Sequence, residues 1–246
     1  MPAQYDFTFL DVAKGKVFGH ETGSILGFNP NVGISSDETV WTQGGEYTYL
    51  SANTELFMSS TNINDVNIVL LVKGLTDDYA HKQVRVTFTS GQAQQSISEF
   101  FRIHEITVVG GSEPQGDLYC ASTGGVTGGV PDDIVSIKAK IDIGLGTTQL
   151  GLYTVPKHHT MYLVRVTNHT RKNKDAVSKV VVRPKGAPGF ILATQFPSYQ
   201  NSFQIVLEPP FVVRAESDFE LRASTTANQT EVVVSVGYIL VDNSKQ

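Results

Sequence analysis

The chain has 246 residues, 40% hydrophobic and 17% charged, with a formal net charge of -5. That length carries one large core or, more in keeping with its texture, two modest ones, and the sparse, slightly acidic charge set excludes the clustered Lys/Arg face that nucleic acid requires. A single cysteine, Cys120, excludes an intrachain disulfide and a multi-cysteine zinc site.

The opening stretch carries Asp6 and Asp11 among its apolar residues, unlike a secretory signal, and no run approaches the roughly 18 apolar residues that span a bilayer. The expectation is a chain made and folded in a cytoplasm, with no membrane partner. From Met1 to Thr39 the sequence is apolar without a clear period, and Gly19, Gly23, Gly27, Pro30 and Gly33 interrupt it. This predicts an N-terminal arm, 1–39, with little regular structure beyond a short helical turn between Asp6 and Lys14, with Asp6 as its N-cap. Phe7, Phe9, Phe18 and Phe28 fall within 22 residues of one another, too densely for a segment this broken to bury by itself. They are the expected partner-docking residues, together with Trp41, unless the arm packs on its own domain.

From Val40 the texture changes to short strands at regular spacing: 46–50, 55–59, 66–73, 83–89, 101–109, 116–121 and 135–143. Within 83–89, Val84, Val86 and Phe88 alternate with polar residues, which marks an antiparallel strand with one wet face. Gly151 to Val166 joins two β-rich runs across Pro156-Lys157-His158-His159, as a hairpin or a sheet-to-sheet corner. Further strands are expected at 161–166, 177–183, 190–196, 202–207, 211–215, 218–223 and 231–241, with Glu220 and Arg222 on the wet face of the sixth. Helical periodicity is nearly absent. The pattern predicts an all-β protein of two antiparallel β-sandwich modules, 40–149 and 150–246, jelly-roll-like or immunoglobulin-like, behind the N-terminal arm.

Chemistry is sparse. Of the six histidines only His158 and His159 are adjacent, and neighbours in extended chain point to opposite sides, so no metal site is expected. Cys120 lies in a strand-like run with no base in sequence reach, and Asp77-Asp78 and Asp132-Asp133 lie in turns. The Gly124–Gly129 run lacks the Lys-Ser/Thr of a phosphate loop, and the basic cluster from Arg171 to Lys185 reads as a solvated loop. No catalytic residue, metal or cofactor is expected.

Several stretches carry a resemblance: GFNPNVG (27–33), ETVWTQGGEYTYL (38–50), FFRIHEITVVG (100–110), GLYTVPKHHTMYLVRV (151–166) and GYILVD (237–242). In order they resemble a two-module family of virion structural proteins of tailed bacteriophages, common among phages of aquatic bacteria. Trp41, Gly44, Gly45, Tyr47, Tyr49, Tyr153, Thr154, Val155 and Pro156 occupy the matching positions, and the resemblance covers most of 27–242. His158-His159 departs from it, standing where the family has a small or glycine-containing turn. The resemblance implies a non-catalytic accessory subunit in the virion, assembled in the host cytoplasm. Such a subunit binds the major capsid protein or other virion proteins as a head decoration or cement, or as a head-tail, tail or fibre attachment component. It also implies self-association, expected as a trimer because two β modules leave open sheet edges. The alternatives are a carbohydrate-binding module for host-surface adhesion, using an aromatic platform of Trp41 and tyrosines, and a depolymerase fragment with convergent carboxylates.

Overall fold

A computed structural model describes residues 9–34, 36–171, 174–199, 202–227 and 229–245. Apart from a five-residue helix, α1 (Phe9–Ala13), and 3-10 turns at Ile134–Ser136 and Asn243–Lys245, its regular structure is strand. The N-terminal half holds β1 (His20–Val32), β2 (Glu38–Thr39), β3 (Thr54–Ser60), β4 (Ile68–Leu75), β5 (His81–Phe88), β6 (Gln95–Phe100), β7 (Arg102–Gly111), β8 (Leu118–Ala121), β9 (Val126–Thr127), β10 (Val130–Pro131) and β11 (Ile137–Ile141). The C-terminal half holds β12 (Leu152–Thr154), β13 (His159–Thr170), β14 (Asp175–Arg183), β15 (Ile191–Tyr199), β16 (Ser202–Val213), β17 (Asp218–Thr225) and β18 (Thr230–Asp242). All paired strands run antiparallel, in the orders β1-β18-β13-β16, β12-β17-β14-β15 with β2 added on β17, β11-β8-β3-β6 and β5-β4-β7, plus the β9–β10 hairpin.

Two hydrophobic clusters fill the space between these sheets. In one, Ile25, Leu163 and Val234 from the β1-β18-β13-β16 sheet share a core with Val180, Phe219 and Leu221 from the β14–β17 sheet. In the other, Leu56, Cys120 and Ile137 share a core with Leu70, Val72 and Ile106, and Trp41, Tyr47 and Leu152 close it. The alternation that marks a half-buried strand is clearest in β4, where Ile68, Leu70 and Val72 are fully buried at period two.

Four local expectations change. The segment before Thr39 is not an arm of little regular structure, because β1 pairs with β18 from His20↔Val241 to Val32↔Thr230. Its buried positions are Ile25, Gly27, Asn29 and Val32, and a glycine and an asparagine facing inward hide the apolar alternation. Gly27 is required there: a Cβ would lie 2.3 Å from the Val40 carbonyl oxygen and 2.7 Å from the Gly151 Cα. Residues 46–50 form no ladder; side chains hold them instead, with the Tyr47 N–H donating to Thr39 Oγ1 at 2.8 Å and the Tyr49 hydroxyl to Glu220 at 3.2 Å. That packing covers the face of β17 expected to be wet, so Glu220 is fully buried. The strands expected at 202–207 and 211–215 are one strand, β16, in which the register jumps from Arg165↔Val206 to Leu163↔Phe211. Residues Leu207–Pro210 bulge out between them, so Pro209 and Pro210 mark a bulge within the strand and not its end.

The stretch 151–166 is a sheet-to-sheet corner, since β12 pairs with β17 while β13 pairs with β18 and β16. His158 takes φ 63 at this corner. The left-handed conformation that a glycine would supply is therefore carried by a histidine.

Candidate docking surface and the junction between the halves

The segment ahead of β1 places its aromatic residues unevenly. Phe7 lies outside the described residues. Phe9 opens α1 and is 43% exposed, and Phe18, just before β1, is 76% exposed. Helix α1 rests on β1 through Val12, its one buried residue, leaving Leu10 57% exposed. Phe28 is half-buried on β1 opposite Val233. Trp41 is not a surface group: it is 3% exposed, meets Tyr47 edge-on with ring centroids 5.0 Å apart, and donates its indole N–H to the Gly45 carbonyl at 3.2 Å. The geometry thus separates the expected docking set, with Phe9 and Phe18 in solvent, Phe28 intermediate and Trp41 in the core.

The two halves are joined by charge as well as by packing. Arg102 on β7 donates to Asp218 on β17, Nε to Oδ1 at 2.9 Å and a second guanidinium nitrogen to Oδ2 at 3.3 Å, with both side chains buried. Arg183 donates to the same carboxylate at 2.6 Å, and the Thr154 hydroxyl does so at 2.6 Å. Burial alone would raise the Asp218 pKa, but the hydrogen bonds and charge of Arg102, with Thr154 and Arg183, bring it below the ordinary carboxylate value. Two positions along β17, burial outweighs Arg222, Thr39 and Tyr49 and holds the Glu220 pKa above its ordinary value. Lys157 ion-pairs with Asp78 across the same junction. Sequence reading missed this network because Arg102 and Asp218 are 116 residues apart, and no periodic signal links them.

Beside the network lies an open cleft of about 480 Å³, lined by Glu21, Lys73, His81, His104, Tyr153 and Tyr238 among others. Its groups are largely engaged. Lys73 neutralises Glu105 at 2.7 Å, and His104 stacks on Tyr153 at 4.0 Å while its Nε2 accepts the Thr154 backbone N–H at 3.3 Å. Burial first, then the neighbouring His81 and Arg102 charges, pushes the His104 pKa down to about 3, so the ring is neutral and its Nε2 is already in use. The Cys120 thiol is fully buried and pushed up to about 12 by that burial, which leaves no thiolate near neutral pH. Among the described residues no group of three or more His, Cys, Asp or Glu is placed to hold a metal ion. Four members of the basic cluster form ion pairs: Arg171 with Glu231, Lys179 with Asp37, Arg183 with Asp218 and Lys185 with Glu216. Within the Gly124–Gly129 run, Gly128 at φ 59 and Gly129 at φ 81 form the β9–β10 turn.

No family model matches the chain, and no curated protein matches it significantly. Solved structures of viral shells show a weak likeness. The chain is similar to the cowpea mosaic virus empty virus-like particle at 9% identity, covering 77% of this chain and 81% of that one, with a TM-score of 0.22. It is similar to infectious bursal disease virus, Gt strain, at 7% identity, covering 93% and 74%, with a TM-score of 0.23. Against the VP2 subviral particle of infectious bursal disease virus the figures are 9% identity, 92% and 72% coverage, and a TM-score of 0.24. At these TM-scores the likeness carries no argument about topology or activity.

Proposed function

We propose that the chain is a non-catalytic structural subunit of a virion, of the tailed-phage kind that its sequence stretches resemble. It acts as an accessory protein on a protein lattice, either as a head decoration or cement subunit or as a head-tail, tail or fibre attachment component. In this proposal it is organised as two antiparallel sandwich modules, 40–149 and 150–246, with β1 added to the second. It self-associates, as a trimer around a local symmetry axis. The observation that carries the reading is the exposed apolar surface ahead of β1, where Phe18 is 76% and Leu10 57% exposed. A free monomer gains nothing from holding a phenylalanine in water, whereas a lattice partner that covers it does.

Covering Phe18 and the exposed part of Phe9 would contribute about 3 kcal/mol by transfer from water. The Phe9→Ser, Phe18→Ser double variant of the full-length protein should therefore bind particles lacking this protein about a hundredfold more weakly than wild type. Location of the chain in a density map of the intact particle complements that comparison. Unchanged affinity would remove these residues from the docking surface, and absence of the protein from the particle would end the virion reading.

A further inference from the structure

On the second half, both sheets end on one flank. The edge strand β16 closes the β1-β18-β13-β16 sheet and the edge strand β15 closes its partner sheet, and the two are consecutive in sequence. An edge strand leaves one row of N–H and C=O groups without a ladder partner, and chains that stay single guard such edges with lysines or other charges. Here β15 carries no charged residue and β16 carries only Glu208. Apolar side chains stand in solvent along both strands: Ile191 is 61% exposed, Leu192 52%, Val206 57% and Val212 46%. Pro197, Pro209 and Pro210 interrupt the N–H row, so a partner would be held by side chains more than by a continuous ladder.

Three exposed charges border this strip. Glu208 sits on the β16 bulge, Arg165 lies beside Val206 on the neighbouring strand β13, and Arg214 follows the end of β16. Among the described residues none of the three forms an ion pair, while Lys157, Lys179, Arg183, Lys185 and Arg222 in the same half all do. We propose that this flank docks on the same flank of a second copy of the chain, with Glu208 of each copy meeting Arg165 or Arg214 of its neighbour. An acidic and a basic member on every copy make identical flanks complementary, and the same pairing rule serves a twofold contact or a closed ring. The strip is roughly 30 Å long and roughly 20 Å wide, on the order of 600 Å² per partner, which places the pair near the lower end of specific interfaces.

The proposal rests on the assembly-subunit reading and is separable from it. Sedimentation velocity of the full-length protein over a concentration series would compare wild type with Val206→Lys, Glu208→Arg and the charge swap Glu208→Arg, Arg165→Glu, Arg214→Glu. All the changes lie on exposed side chains, and circular dichroism would confirm that the fold is retained. Wild type should associate, Val206→Lys and Glu208→Arg should each weaken association by about tenfold or more, and the swap should regain most of the loss. Association that both single variants leave intact overturns the proposal, as does a swap that restores nothing. A wild type that stays monomeric also overturns it; if that monomer still binds particles through Phe18, the assembly-subunit reading stands without this contact.

Discussion

Asp218 accepts hydrogen bonds from Arg102, Arg183 and Thr154, so the junction between the halves depends on one buried carboxylate. Asp218→Asn keeps the shape but leaves Arg102 buried without its counter-charge, and it should lower stability by about 3 kcal/mol, read as a shift in the urea midpoint at constant slope. Because the folded pKa of Asp218 is depressed, its contribution is present above the unfolded value of about 4 and is lost as pH falls through the folded value. His104 acts over a higher window. Its folded pKa is about 3. An unfolded histidine titrates near about 6.5, so below that the unfolded chain takes up a proton that the folded chain refuses. The stability His104 gives is complete above about pH 6.5 and declines steadily below it, by about 2 kcal/mol at pH 5. Urea unfolding of wild type and His104→Phe at neutral pH and at about pH 5 checks this: the phenylalanine variant should lose less on acidification, since it has no proton to take up. Cys120→Ala should cost only about 1 kcal/mol, and native protein should react with a thiol reagent only on unfolding.

Glycine decides where the elements touch. At Gly27 and at Gly151 a Cβ would lie 2.3 Å from the Val40 carbonyl oxygen, the acceptor of the Gly151 N–H at 2.9 Å. Gly27→Ala should therefore force β1 off this contact and cost about 2 to 3 kcal/mol in thermal or urea unfolding. The strand itself matters more. Removing residues 1–39 strips β1 from the edge of its sheet and uncovers Val232, Val234 and Val236, so that shortened protein should fail to fold, whereas removing residues 1–16 leaves β1 whole and should not. A soluble, cooperatively unfolding 40–246 protein would refute the structural role given to β1. The same strand shows why the first segment was illegible in sequence. Where the buried row reads Ile25, Gly27, Asn29, Val32, only its ends are apolar, and a period-two pattern needs the middle. Strand β4 was legible because three successive inward positions, Ile68, Leu70 and Val72, are aliphatic.

At the scale of the whole molecule, the segment ahead of β1 and the strands β15 and β16 are two separate places among those where apolar groups are exposed; Ile63, Ile134, Val135 and Ile143 are exposed elsewhere. A subunit with two such surfaces can touch an underlying lattice with one and its own copies with the other. Phe9→Ser with Phe18→Ser should weaken particle binding while leaving self-association unchanged, and Val206→Lys should do the reverse. Sedimentation and particle pull-down on the same protein stocks separate the two effects.

The sequence by itself determined the class of structure. Alternation in the stretches around Val84 and Leu221, turn residues between the expected strands and the lack of helical periodicity leave only antiparallel sheet, and the break at Pro156 was legible, as a hairpin or a corner, because proline ends a ladder. What only the tertiary structure decided was which polar residues are inside. Glu220 and Asp218 alternate along β17 as solvent-facing groups should, yet both are buried because residues 38–50 and β7 cover that face. Trp41 moved the same way, from expected contact to core, for the same reason: burial of one strand's outer face is set by chain segments far away in sequence, and periodicity records only which side of the strand a residue is on.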